Sequence, residues 1–155
     1  MMLIRKVLYV LILSALFFVP LESMEIANLE PIQAVWLCVE NEKVVLTTDT
    51  KDVGIGSTVA DALKDMKYNS PGIIYLDTAQ YLLVSTSDEQ LIAEMKTYVK
   101  DEIFLCKWNG EGKLQDAVKY ADAHNIGIKF RKWRGIGNLP ELPPIKQEKY
   151  GNIPS

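Results

Sequence analysis

Apolar positions fall in short runs whose period switches repeatedly between two and nearly four, and each switch marks a change of element. Ala34 to Val39 and Lys43 to Thr48 are β-branched runs around Glu40-Asn41-Glu42, which predicts a hairpin. Thr47 to Asp52 reads as a polar connection, and Gly54-Ile55-Gly56-Ser57-Thr58 as a turn leading into a helix. Val59, Ala62, Leu63 and Met66 keep helical spacing, Ser57 or Thr58 can cap the helix, with Asp61 placed for a capping box behind Thr58, and the helix stops before Asn69-Ser70-Pro71-Gly72. Ile73 to Val84 holds two apolar segments around Asp77 to Gln80, either a hairpin or one long bent strand. Ser87 with Gln90 predicts a second capping box, opening a helix with Leu91, Ile92, Met95 and Val99 on one face.

Ile103 to Trp108 is then a strand and Asn109 to Gly112 a turn. Leu114, Ala117, Val118 and Ala121 define a third amphipathic helix that runs out at His124-Asn125, and Gly127 to Trp133 alternates as a last strand. The order ββ-α-ββ-α-β-α-β implies an α/β (α+β) fold: a small mixed sheet of about five to six strands carrying three helices.

The two ends break this pattern. Arg5-Lys6, the 13-residue apolar run Val7 to Val19, and Pro20 to Ser23 have the layout of an export signal. The run is shorter than the roughly 20 residues of a spanning helix, so the expectation is a signal peptide over residues 1–23, cleaved after Ser23, and a secreted or extracytoplasmic protein. An uncleaved signal acting as a membrane anchor is the alternative. A single domain is expected over residues 24–134, followed by a Pro- and Gly-containing tail over 135–155, extended or disordered.

Without the leader, 132 residues remain, enough for one core, and the balance of 15 basic against 19 acidic residues gives about minus 4. Nucleic acid is thereby set aside as a partner, since its binding rests on phosphate neutralisation. The only cysteines, Cys38 and Cys106, lie in separate β-like runs. In an exported chain they are candidates for a disulfide, which would contribute about 4 kcal/mol on the loop-entropy model if the strands were neighbours. Two buried free thiols are the other possibility. Two Cys and one distant His do not make a zinc set, and no metal or cofactor is expected.

No constellation for catalysis stands out. His124 is the only histidine and falls at a predicted helix C-terminus, where an imidazolium meets the negative end of the dipole. Gly54 to Thr58 lacks both the third glycine of a dinucleotide loop and the lysine of a nucleotide loop, so a plain turn and cap is favoured over phosphate binding. Asp77 interrupts an apolar run, and with Glu40 or Glu42 it supplies the carboxylates a hydrolase would need, but no spacing selects a pair. The chain is therefore read as a non-enzyme, with an exported carboxylate-based hydrolase as one alternative.

Lys129, Arg131, Lys132, Trp133 and Arg134 form the candidate binding surface, four cations interleaved with Phe130 and Trp133. Such a cluster suits anionic lipid, cell-wall polymer or an acidic protein, and equally a charged edge strand that resists aggregation. Trp36, Trp108 and Trp133 are expected in packing, though a concave pocket around Trp108 or Trp133 would indicate a small-molecule or envelope-polymer binder.

The hairpin Ala34 to Thr48, Gly56-Ser-Thr-Val-Ala-Asp-Ala-Leu63, Ser70-Pro-Gly-Ile-Ile-Tyr-Leu76, Tyr81-Leu-Leu-Val84, the acidic-capped helix and Ile103 to Trp108 together resemble the N-terminal domain of the C-subunit lipoproteins of spore germinant receptors. The resemblance spans about 90 residues by order and hydrophobic pattern; the lipid-accepting Cys, the Trp-Asp after it and the larger C-terminal domains of that family are missing. It implies a non-catalytic extracytoplasmic domain, working through protein contacts in a membrane-associated assembly of a spore-forming bacterium. The functional expectation is an exported interaction module with a protein partner, using a sheet edge or the basic-aromatic segment and tail.

Overall fold

In a computed structural model, Val7 and residues 31–145 are described. The expected leader, Met1 to Ser23, lies outside the described residues apart from Val7, as does the tail beyond Ile145. Among the described residues no helix is long and apolar enough to cross a membrane.

The elements are β1 (Ala34–Glu40), β2 (Lys43–Thr48), β3 (Val53–Gly56), α1 (Val59–Asn69), β4 (Tyr81–Val84), α2 (Glu89–Met95), β5 (Phe104–Lys107), α3 (Leu114–Ala123) and β6 (Ile128–Lys129). The six strands make one mixed sheet, ordered β3-β2-β1-β4-β5-β6. β1, β4 and β5 run parallel in its centre; β2, β3 and β6 are antiparallel to their neighbours. The α/β fold with a mixed sheet and three helices matches the expectation.

Every residue of β4 is buried, because helices cover the central strands on both sides, which is why Tyr81 to Val84 reads as a continuous apolar run. On one face Val35, Leu37, Leu46, Leu82, Val84 and Leu105 pack against α1 and α2. On the other, Ala34, Tyr81, Leu83, Cys106 and Trp108 pack against α3.

Besides α2, which ends at Met95 and leaves Val99 to the turn that follows, local structure departs from the sequence pattern at five places. The turn segment at Gly54 is strand β3: both glycines lie against α1, and a Cβ on Gly54 would meet the Ala62 carbonyl oxygen at 2.0 Å, one on Gly56 the Ala62 nitrogen at 2.4 Å. The glycines are therefore there for close strand-to-helix approach. Ile73 to Gln80 forms neither a hairpin nor a long strand but a 3-10 turn at Leu76–Thr78, where the Thr78 hydroxyl donates to the carbonyls of Tyr75 and Ile32. The α2 cap is Asp88 rather than Ser87; its carboxylate accepts from the amides of Gln90 and Leu91. The last strand shrinks to Ile128–Lys129 and continues as a 3-10 turn, Phe130–Lys132, because burying Phe130 against the α1/α2 side of the sheet bends the chain off the edge.

The fifth departure is the tail. From Gly135 the chain is packed: Ile136 donates its amide to Glu89, Leu139 and Leu142 are buried, and Glu141 bridges to Lys107 beyond the end of β6. The folded unit thus extends past residue 134, to Ile145 at the limit of the described residues.

The disulfide is a correction. Cys38 and Cys106 are both free thiols. β4 lies between their strands, so two strand spacings of about 4.8 Å separate the backbones, beyond the roughly 7 Å that a disulfide spans. Burial pushes the Cys106 thiol up to about 12. Burial, then the charge and hydrogen bond of Glu40, push Cys38 up to about 11.

Candidate functional site

The basic segment leaves the sheet at the end where β4 and β5 begin. Lys129 pairs with Phe104, the Phe130 amide donates to the Ile103 carbonyl, and that of Arg131 to the Asp101 carbonyl. Phe130 is buried and Trp133 packs on it edge-on, ring centroids 5.8 Å apart at 64°. With the aromatic members turned inward, Arg131, Lys132 and Arg134 are left exposed. Arg134 donates to the carbonyls of Arg131 and Trp133, which stiffens the turn.

Glu102 is the residue that sequence reasoning missed. Its carboxylate accepts from Lys129 Nζ at 2.6 Å and lies 3.1 Å from Arg131 Nε. The Lys129 hydrogen bond, outweighing slight desolvation and helped by the charges of Arg131, Lys129 and Lys132, holds Glu102 below its ordinary value. Its meeting with Lys129 depends on β5–β6 register, which no local signal reveals. Lys129 and Arg131 pair with this carboxylate, and the segment 129–134 itself holds four cations and no acid in a chain whose total is −3.

Asp77 lies apart from Glu40 and Glu42, which are at the β1–β2 turn at the opposite end of β1. It lines instead a cleft of about 280 Å³ with Tyr81, Lys100, Glu102, Phe104 and Asp122. The carboxylates of this cleft are already engaged. Tyr81 donates its hydroxyl to Asp122 at 3.2 Å, and burial, then the Asp122 charge, push that phenol up to about 12. The Asp77 carboxylate raises the neighbouring Tyr75 phenol above its ordinary value. A carboxylate held down by cations, as Glu102 is, is poorly suited to act as a general acid.

His124 closes α3 as its C-cap; its Nδ1 is 2.9 Å from the Tyr120 carbonyl oxygen and its ring stacks on Tyr120 at 4.0 Å. Trp108 is buried edge-on against Trp36, and the Trp36 indole donates to the Ser85 hydroxyl, which donates in turn to the Trp108 carbonyl. The indole N–H groups of Trp108 and Trp133 are buried without an acceptor among the described residues. Among the described residues no group of three or more His, Cys, Asp or Glu is placed to hold a metal.

Both sheet edges are poor templates for strand addition. The Ile55 amide of β3 is taken by Asp65 of α1 at 2.9 Å, and β6 is two residues long. Main-chain pairing is thereby disfavoured at both edges.

No protein-family model, curated protein or solved structure matches the chain.

Proposed function

We propose that the protein is a non-catalytic, exported interaction module of a membrane- or envelope-associated assembly, and that it engages an acidic protein partner through Arg131, Lys132 and Arg134. The observation that carries this reading is the Phe130 anchor: by burying the aromatic residue it leaves the cations together on a short, self-bonded turn in an otherwise acidic chain. A preorganised basic patch attracts a negatively charged surface and loses less side-chain freedom on binding than a mobile one. The likeness of order and pattern to germinant-receptor C-subunit domains is what suggests the membrane-associated setting and a link to spore germination.

Capture from the native envelope with the wild-type chain and with the double variant Lys132→Glu/Arg134→Glu tests this. One specific acidic protein is expected with the wild type, falling about tenfold with the double variant and at high ionic strength, as for a charge-steered contact. Equal recovery by both chains would overturn the reading.

A further inference from the structure

The cleft of about 280 Å³ where β4 and β5 begin has two unlike rims. On one side stand Ile73 and Tyr75, in the extended stretch that leads towards β4. Ile74 and Leu76 are buried, so the alternate residues Ile73 and Tyr75 are turned outward, 55% and 52% exposed. Tyr75 neighbours Asp77, which lines the cleft. On the other side the lining residue Glu102 lies 3.1 Å from Arg131 Nε, so this rim passes directly into the basic turn. Between the rims the half-buried ring of Phe104 stacks on Tyr81, centroids 5.6 Å apart at 29°, and forms an aromatic wall.

We infer, resting on the acidic-partner reading above, that the partner binds here as an extended segment, seating one apolar side chain in the cleft against Phe104 and Tyr75 and laying acidic side chains on Arg131 and Lys132. Charges at a rim steer association and set its salt dependence, whereas most of the affinity comes from a few side chains desolvated in a pocket. Exposed cations alone give a fast, weak contact. The cleft supplies the missing pocket, one residue away from Arg131 through Glu102. Its volume falls below the roughly 300–1,000 Å³ of small-molecule sites and suits a single side chain.

The order of residues in the bound segment follows from the charges. Asp77, Glu102 and Asp122 line the cleft, so an acidic side chain entering it meets carboxylates. An apolar one leaves the bonds of Asp122 to Tyr81 and of Glu102 to Lys129 and Arg131 in place. Acids are therefore accepted only beyond Glu102, on the basic rim. β4 to β6 is two strand spacings, about 10 Å, which three extended residues cover at about 3.3 Å each, so the apolar anchor and the acids lie within about three positions of one another.

Panning a displayed library of random peptides on the full chain, followed by titration of the enriched peptides by fluorescence anisotropy, tests this. Enriched peptides are expected to carry an apolar residue within about three positions of acidic ones. Tyr75→Ser is expected to weaken their binding at least about tenfold with its salt dependence kept, and Lys132→Glu/Arg134→Glu to weaken it with the salt dependence lost. All three side chains are exposed, so both variants keep the fold, which circular dichroism checks. A photo-reactive leucine at the apolar position is expected to label the stretch of chain holding Tyr75 or Phe104. Acidic peptides that lose binding to the charge variant yet are indifferent to Tyr75→Ser, or that label elsewhere, would overturn the inference and leave the acidic-partner reading in place. Peptides indifferent to the charge variant, or no enrichment at all, would overturn both.

Discussion

Glu102 shows how one residue sets the strength of the basic surface. It neutralises part of Lys129 and Arg131 and leaves Lys132 and Arg134 as the cations without a carboxylate partner among the described residues. Because its folded-state pKa lies below the ordinary 4.5, the unfolded chain binds the proton more readily, and stability rises with pH through that window. The contribution is fully present above pH 4.5 and is lost as pH falls through the depressed folded value. Glu102→Gln is expected to lower stability at neutral pH by the small amount of a solvent-exposed pair, and thermal unfolding should show that difference from wild type closing as pH falls, so that the variant has the shallower acid limb. An acid limb identical to wild type would show that the pair does not persist in solution.

Element packing decides the two places where glycine and aspartate patterns were misleading. Gly54 and Gly56 looked like a turn, and their spacing does suit one, but the missing side chains make room for α1 on an edge strand. Gly54→Ala forces a methyl group into the Ala62 carbonyl, backbone that cannot swing aside. Overpacking of this kind costs about 1–3 kcal/mol or more, so a lower urea midpoint is expected with unchanged slope. The α2 cap moved by one residue for a related reason: Ser87 and Asp88 are both competent caps, and only the path from β4 selects which carboxylate or hydroxyl faces the first turn. The N-cap at Thr58 was legible because its hydroxyl and the Asp61 amide are local partners, 3.1 Å apart.

For the whole molecule, the most consequential difference lies after Arg134. Proline, glycine and the loss of period suggest an unstructured tail, yet Leu139 and Leu142 are buried, one on each side of the sheet. Ending the chain at Arg134 therefore removes two core leucines and the Glu89–Ile136 bond together. At about 2–5 kcal/mol for each buried leucine lost, the deficit approaches the total stability of a small domain. Such a chain is expected to be largely unfolded by circular dichroism at 25 °C. A native-like cooperative melt would show that 135–145 is peripheral.

Hydrophobic period and capping chemistry were enough to establish the α/β class, the hairpin, three helices and the end of the third at His124, because those features are written in residues one to four positions apart. The basic cluster at 129–134 was equally visible as composition. What only the tertiary structure decided depends on residues far apart in the chain. β4 separates Cys38 from Cys106 and leaves them reduced, Glu102 meets Lys129 through strand register, and Asp77 is placed beside Asp122 rather than Glu40 or Glu42. Leu139 and Leu142 carry no period of their own, so only the unfilled edge and faces of a finished sheet give them a place to be buried.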